Sequence, residues 1–401
     1  MESAMTCLKR LVIAMWADLQ TNNLWQQIVK SSIAYVASIS IVIAPPVTAV
    51  MGPATFLAPM VVVFAHPGQR TDLCIEALFM LVVGTSLGLM WSIFGLYLST
   101  FIVDENRQAA YTIRGVFLTV AAIWHGFLRS LVPCTFVPAA FYLIACLIVL
   151  LGDHDRVSMS VFTNVAYPTL IGAGISFVAN VSVFPEGLRQ FWTGGESDEG
   201  KVSNHTEPAS RDLYFALKLA FGVLLLSWPA LTDALNPLYC SVRAVWVPLQ
   251  FFLVLENDAV TTLHVFLLRH AGVAFGCIMG LLSCLIGNGN RICTVLILVV
   301  GIVPSFYVQI GTKHARSATM STASMAVVAL SGVNGSPIGH FTKRYLAFLI
   351  GGAVAVAVAL LDERAKFFAG IQNAPTSIVN PRSRRARRAW RSQMAEHKFV
   401  V

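Results

Sequence analysis

Long apolar segments separated by short polar ones run through most of the chain. A membrane-spanning helix needs about 20 mostly apolar residues. The candidate spans are 31–50, 54–66, 72–101, 112–128, 134–152 and 160–184, followed after a polar gap by 213–232, 244–256, 259–286, 292–310, 317–332 and 343–361. The second span of each set is short, and the third is long. This pattern predicts an all-α integral membrane protein with about 12 transmembrane helices.

The polar segments divide the chain into regions. We expect a cytosolic or interfacial N-terminal segment, a first six-helix membrane module, a cytosolic linker, a second six-helix membrane module and a basic cytosolic tail, over 1–30, 31–185, 186–212, 213–361 and 362–401. The tail carries six arginines within 382–391. A cluster of this kind next to a membrane is typical of contact with anionic lipids.

The two predicted modules resemble each other. Lys30 opens the first span and Lys218 opens the seventh, and each lysine is followed by an apolar run that ends near proline. The motif Gly84-x-x-x-Gly88 recurs as Gly272-x-x-x-Gly276, with the same spacing as the two lysines. The closing spans share an Ile-Gly pair, at 171–172 and at 350–351. We therefore predict two parallel six-helix repeats related by a pseudo-twofold axis along the membrane normal.

The composition supports a lipid environment and argues against a soluble protein, a nucleic-acid-binding protein and a metal-binding protein. The chain is 56% hydrophobic and 12% charged, whereas a soluble domain carries about 25% charged residues. The net charge of +8 does not indicate nucleic acid, because the basic residues lie between apolar spans and in the tail. The eight cysteines form no C-x-x-C motif, so we predict neither a metal site nor any cofactor.

The distribution of lysine and arginine predicts the orientation. With both termini in the cytosol, the cytosolic loops hold most basic residues, including Arg70, Arg129 and Arg316. The opposite loops hold aspartates and fewer basic residues, among them Arg344. This bias follows the positive-inside rule. We expect a multi-pass protein of the plasma membrane or an endomembrane such as the endoplasmic reticulum (ER).

Several segments resemble a known transporter superfamily. In the first part they are 63–70 (VFAHPGQR), the helix 76–91, 125–130 (HGFLRS) and the closing span 172–185. In the second part they are 246–248 (WVP) and 269–280 (RHAGVAFGCIMG). The first part resembles the N-terminal membrane domain of fungal transporters of the fusaric acid resistance and aromatic acid exporter superfamily. The second resembles its repeated module, and the resemblance covers most of 25–365.

The resemblance implies a helical transporter that exports aromatic or other organic acids. Plant malate channels look like distant relatives, which implies an organic-anion channel as the alternative. A membrane-embedded enzyme is a weaker alternative, because the segments 153–155 and 256–258, which come closest to aspartate-rich motifs, fall on opposite membrane faces. The expected partners are the bilayer and a small organic anion. The pathway should lie near the interface of the halves, or of two subunits in a homodimer.

Ionisable residues inside apolar spans are the candidate site residues, because burying a charge in a membrane is costly. Lys30 and Lys218 could attract an anion or extend to the cytosolic interface. Arg269 lies deep in its span, and it should face a charged partner or a water-filled cavity. Glu76 could be a helix-start carboxylate or a proton-coupling site. His66 could relay protons or belong to a solvated turn.

Other residues are expected to shape the helices. Asp72 and Asp258 are candidate N-caps of the two long helices. Small residues on one helix face allow close backbone contact inside a membrane. We therefore expect a packing role for five glycines, Gly84, Gly88, Gly272, Gly276 and Gly280.

Overall fold

The computed structural model describes residues 24–131, 135–152, 156–184, 209–242, 244–312, 314–333 and 335–372. In these ranges the regular elements are helices. The N-terminal set is α1 (Leu24–Val42), α2 (Pro45–Met51), α3 (Leu57–Ala65), α4 (Thr71–Thr100), α5 (Arg107–Leu131), α6 (Phe136–Leu150) and α7 (Met159–Ser182). The C-terminal set is α8 (Ala209–Ser227), α9 (Asn236–Ser241), α10 (Trp246–Val254), α11 (Ala259–Gly287), α12 (Arg291–Gly311), α13 (Ala315–Gly332) and α14 (Pro337–Gln372).

Each predicted span contains a helix, with one marked difference at the first. The predicted span 31–50 is a helix that starts at Leu24 and bends by 81° between α1 and α2. Pro45 and Pro46 explain the break. Proline lacks the backbone N–H that an α-helix needs, and it disfavours the helical conformation of the residue before it. The predicted linker and the predicted terminal segments fall largely at 1–23, 185–208 and 373–401, outside the described residues.

The helices have the length and composition of membrane spans. Seven helices in the described part are long and apolar enough to cross a bilayer, or eight if the bent pair counts as one span. The two nine-residue helices α3 and α10 are each only about 13.5 Å long, less than half of a typical hydrocarbon core. The chain is an integral membrane protein with several spanning helices. The number of about twelve stays a prediction.

The two short helices form the centre of the bundle. All nine residues of α10 are buried, and in α3 only Phe64 is not fully buried. The long helices around them instead expose large apolar side chains such as Phe79, Met90 and Val300. That distribution suits a bundle whose outer surface contacts lipid and whose interior holds two apolar helices.

The helix contacts follow the same pattern in both sets. α4 packs on α6 as α11 packs on α13, and α3 packs on α7 as α10 packs on α14. The first helix of each set also packs against the other set: α1 contacts α12, and α8 contacts α5. The two sets are therefore interlocked.

The start of α11 has the predicted cap, and the start of α4 does not. The carboxylate of Asp258 accepts a hydrogen bond from the backbone N–H of Thr261 at 2.7 Å. Asp72 lies inside the first turn of α4, where it pairs with Arg70 at 2.9 Å. The predicted capping role of Asp72 was wrong, because the helix begins at Thr71, two residues earlier than an Asp72 cap requires.

Glycines bring α4 and α6 into close contact. A Cβ atom placed on Gly84 would collide with the carbonyl oxygen of Pro138, and one on Gly88 would collide with that of Tyr142. Both obstacles are backbone atoms, which cannot rotate away. The helices could not pack at this separation with any larger residue at either position.

The corresponding pair α11 and α13 is arranged in the same way. Cβ atoms on Gly272 and Gly276 would collide with the carbonyl oxygens of Ser317 and Ser321. A Cβ atom on Gly280 would lie 2.9 Å from the Cβ of Val328. Each G-x-x-x-G motif therefore faces carbonyl oxygens four residues apart on its neighbour.

Replacing Gly276 with valine should destabilise the bundle by about 1–3 kcal/mol, the usual cost of overpacking. The unfolding temperature of the detergent-purified protein should fall accordingly. Gly174→Ala is the matched control, because a Cβ atom there meets nothing within 4 Å. Equal unfolding temperatures for Gly276→Val and wild type would contradict the close contact.

Candidate functional site

A cavity of about 410 Å³ lies where the C-terminal ends of α3 and α10 meet the neighbouring helices. Both helix sets contribute to its wall. The N-terminal set supplies Phe64, His66, Arg129, Phe136 and Val137, and the C-terminal set supplies Leu253, Glu256, Arg269, Ala315, Arg316, Thr319 and Met320. The cavity therefore depends on the two sets being packed together.

An ion-pair network crosses this cavity from one set to the other. Arg129, at the end of α5, pairs with Glu256 in the α10–α11 turn, with Nη2 2.8 Å from Oε2. Arg316, at the start of α13, approaches the other oxygen of Glu256 at 3.0 Å. Arg129 also donates to the carbonyl oxygen of Phe252 at 3.0 Å. One carboxylate thus connects two guanidinium groups from different sets.

Arg269 adds a third positive charge to the wall of this cavity. Its side chain is 6% exposed, and no acceptor among the described residues reaches its Nε or Nη1 atom. The wall thus carries three guanidinium groups against the single carboxylate of Glu256. This excess of buried positive charge would attract an anion into the cavity more strongly than a cation.

The rest of the wall is aromatic and apolar. Phe64 and Phe136 line the cavity with Val137, Leu253 and Met320. The ring of Phe136 lies under the Arg129 guanidinium at 5.3 Å, within the range of a cation–π contact. The cavity therefore offers positive charge on one part of its wall and rings on another.

His66 separates this cavity from a smaller one. It has a left-handed backbone at the end of α3, with φ of 45°, and its Nδ1 atom lies 3.1 Å from Nε2 of Gln309. Its side chain also lines a polar cavity of about 240 Å³ beside Gln27, Ser31 and Gln309. His66 is therefore placed between two solvent-sized spaces.

Acidification should destabilise the protein partly through His66. Burial lowers the pKa of His66 from its ordinary value of about 6.5. Below that pH the unfolded chain takes up a proton that the folded chain refuses, so stability falls as the pH falls. The unfolding temperature should drop less between pH 7.5 and pH 5.5 in His66→Gln than in wild type. Equal drops would contradict this assignment.

Lys30 and Lys218 do not line this cavity, and they stabilise the two turns that carry His66 and Glu256. Lys30 donates from Nζ to the carbonyl oxygen of Asn180 at 3.2 Å. The amide of Asn180 in turn donates to the carbonyl oxygens of Pro67 and Gln69 at 2.7 and 2.9 Å. The turn that carries His66 is thus tied to α1 and α7.

Lys218 has a similar position in the C-terminal set. Its Nζ donates to the carbonyl oxygens of Glu256 and Asn257, each at 3.2 Å, and pairs with Asp362 at 3.2 Å. The two ionic side chains are 6% and 3% exposed. Lys218 therefore fixes the backbone of the turn whose carboxylate crosses the cavity.

The remaining sequence candidates lie elsewhere. Glu76 is exposed on the outer surface of α4 and does not line the cavity. Arg344, expected in a loop, is inside α14 and 2% exposed. Its guanidinium lies 4.1 Å from the ring centroid of Trp246. A cation–π contact of this kind allows a cation to be buried within a helix bundle.

Two members of the site were predictable from the sequence, and others were missed. Arg269 and His66 were candidates, and the structure brings them to one cavity. Arg129 and Arg316 were treated only as signals of topology, since each lies at a helix end next to a short loop. Glu256 was considered with His66 as a possible proton relay or a solvated turn residue, and not as the ion-pair partner of arginines. The sequence did contain one signal for these residues: Arg129 and Arg316 each lie beside a loop that is predicted at the same membrane face.

Long apolar helices around a charged cavity are the architecture of a membrane transporter. Two family models match the chain: "Putative ER transporter, 6TM, N-terminal" over residues 22–112, and "Fusaric acid resistance protein-like" over residues 224–358. These two matches support the fusaric acid resistance and aromatic acid exporter family, and the resemblance predicted from the sequence is confirmed. No curated protein and no solved structure matches the chain.

Proposed function

We propose that this protein carries organic anions, and specifically aromatic carboxylates, out of the cytosol. The observation that supports this most directly is the cavity between the two helix sets, where Arg129, Arg269 and Arg316 face a single carboxylate. A carboxylate bound by Arg269 gains charge-assisted hydrogen bonds. An attached ring would lie against Phe64 and Phe136.

The two cavities favour a carrier over a channel. A second cavity of about 270 Å³ lies at the N-terminal ends of α3 and α10, opposite the arginine-lined one. The two buried helices lie between them. A carrier would expose its substrate site to one side at a time, and the Arg129–Glu256 pair between the sets is suited to break and re-form in that cycle.

The same features support the proposed repeat and orientation. The exchanged contacts of α1 and α8, and the G-x-x-x-G motifs facing equivalent carbonyl groups, favour two parallel six-helix repeats. The positive-inside bias would place both termini, and the opening of the arginine-lined cavity, on the cytosolic side of the membrane. The family described as an ER transporter favours an ER location.

Flux measurements in proteoliposomes test this proposal. Purified protein should move labelled benzoate down its gradient, and a proton gradient should alter the rate. Large ionic currents that do not depend on the proton gradient would indicate that the protein is a channel and not a carrier. No flux of benzoate, a larger aromatic acid or a dicarboxylate would reject organic-anion transport.

A further inference from the structure

A glutamate side chain of the protein already makes the contacts that a bound carboxylate would make in the arginine-lined cavity. One oxygen of Glu256 lies 2.8 Å from Arg129, and the other lies 3.0 Å from Arg316. Arginine recognises the carboxylate of a ligand through contacts of the same kind. The cavity therefore holds an internal anion on two of the three guanidinium groups in its wall.

Arg129 is held in place independently of this carboxylate. Its Nη1 atom donates to the carbonyl oxygen of Phe252 at 3.0 Å. Its guanidinium also lies 5.3 Å from the ring centroid of Phe136 and 5.5 Å from that of Phe215. If Glu256 left, Arg129 would stay positioned, so an incoming anion would bind it with little cost in ordering the side chain.

Glu256, in contrast, is anchored through its backbone. Its N–H donates to the hydroxyl of Thr262 at 3.1 Å, and its carbonyl oxygen accepts from Lys218 at 3.2 Å. The partners of its carboxylate in the described part of the chain are Arg129 and Arg316. The side chains of these arginines are 12% and 56% exposed, respectively. The Glu256 side chain can therefore rotate away from the buried arginine while the turn keeps its position.

We propose that Glu256 is a built-in competitor of the transported anion. The substrate carboxylate replaces Glu256 at Arg129, and Glu256 then keeps its contact with the exposed Arg316. When Glu256 returns to Arg129, it displaces the anion and so promotes release. Both carboxylates fit the charge of the site, because Arg269 is the third guanidinium in its wall. This inference rests on the proposed anion transport and assigns a residue that controls its binding step.

Benzoate binding to the full chain in detergent tests the proposal through the sign of the effect. Glu256→Gln removes the charge and nearly keeps the shape, so benzoate should bind about tenfold more tightly than in wild type, since close charge pairs have coupling energies of at least this size. Glu256→Asp is one methylene shorter and contacts the arginines less well. It should change the affinity in the same direction by a smaller factor.

Asp258→Asn is the matched control, because it removes the same charge from the same turn. The Asp258 carboxylate is exposed and accepts from the N–H of Thr261 at 2.7 Å, and asparagine is an equally good helix cap. An exposed charge is screened by water and salt, so benzoate affinity should stay within about twofold of wild type. A similar gain in Asp258→Asn and Glu256→Gln would mean that net charge, and not competition, sets the affinity.

Benzoate flux in proteoliposomes provides the second readout. In Glu256→Gln the half-saturating concentration and the maximal flux should both fall, because the anion binds more tightly and is no longer displaced. Weaker or unchanged benzoate binding in both Glu256 variants would overturn the inference and leave the proposed transport intact. Tighter binding in Glu256→Gln without flux in any protein, wild type included, would instead reject transport and retain the competition. Absence of benzoate binding in all of these proteins would reject both.

Discussion

Arg269→Gln is expected to reduce benzoate flux at low concentration about 100-fold, since losing a buried charge-assisted contact costs about 2–5 kcal/mol. Glutamine is polar, but it is shorter than arginine and carries no charge. The effect should be large because Arg269 is the guanidinium in this cavity that lies deepest in the bundle and lacks an acceptor at Nε and Nη1 among the described residues. Arg129 and Arg316 already share Glu256.

The measurement is initial benzoate flux against concentration in proteoliposomes. Arg269→Lys should retain part of the activity, since it keeps the charge and loses the planar donor set. Arg156→Gln is the matched control: it removes an exposed arginine whose partner is Asp104, away from the cavity. Equal flux in Arg269→Gln and wild type would remove Arg269 from the substrate site.

Lys218→Met is expected to lower the free energy of unfolding by about 3–5 kcal/mol, the usual result of leaving one charge of a buried pair without its partner. The buried Asp362 carboxylate would lose this cation while keeping its hydrogen bond from Tyr214, and the carbonyl oxygens of Glu256 and Asn257 would lose the ammonium group. The unfolding temperature and the monodisperse fraction in detergent should both fall.

The double variant Lys218→Met with Asp362→Leu is the control for this prediction. Removing both charges should recover much of the lost stability, because an apolar pair of similar size often replaces a buried ion pair without loss. A Lys218→Met protein that unfolds like wild type but no longer binds benzoate would reverse the assignment and place Lys218 in the substrate site.

The order and type of the helices were predictable from the sequence. Membrane helices must satisfy their own backbone hydrogen bonds, so every apolar run of sufficient length has few alternatives to helix. For this reason even the short runs that became α3 and α10 were located within a few residues. The break after Val42 could have been expected from Pro45 and Pro46, but its angle of 81° depends on packing.

The site was only partly predictable, because a charged residue in a loop can either set the membrane topology or belong to a binding site. Arg129 and Arg316 satisfy the positive-inside rule in any fold with this topology. Only the contacts of α5 and α13 with the α10–α11 turn bring them to Glu256. Lys218, by contrast, was a candidate to attract an anion or to extend to the interface, because its sequence neighbours are apolar. Its partner Asp362 lies 144 residues away.

The sequence by itself determined a multi-span helical membrane protein of a recognisable transporter family, because hydrophobic length and local motifs carry that information. The tertiary structure decided which buried charges meet one another. It paired Lys218 with Asp362, connected the two helix sets through Glu256, and left Arg269 beside a cavity. The physical reason is that ion pairing depends on distances of a few ångströms between residues far apart in the chain.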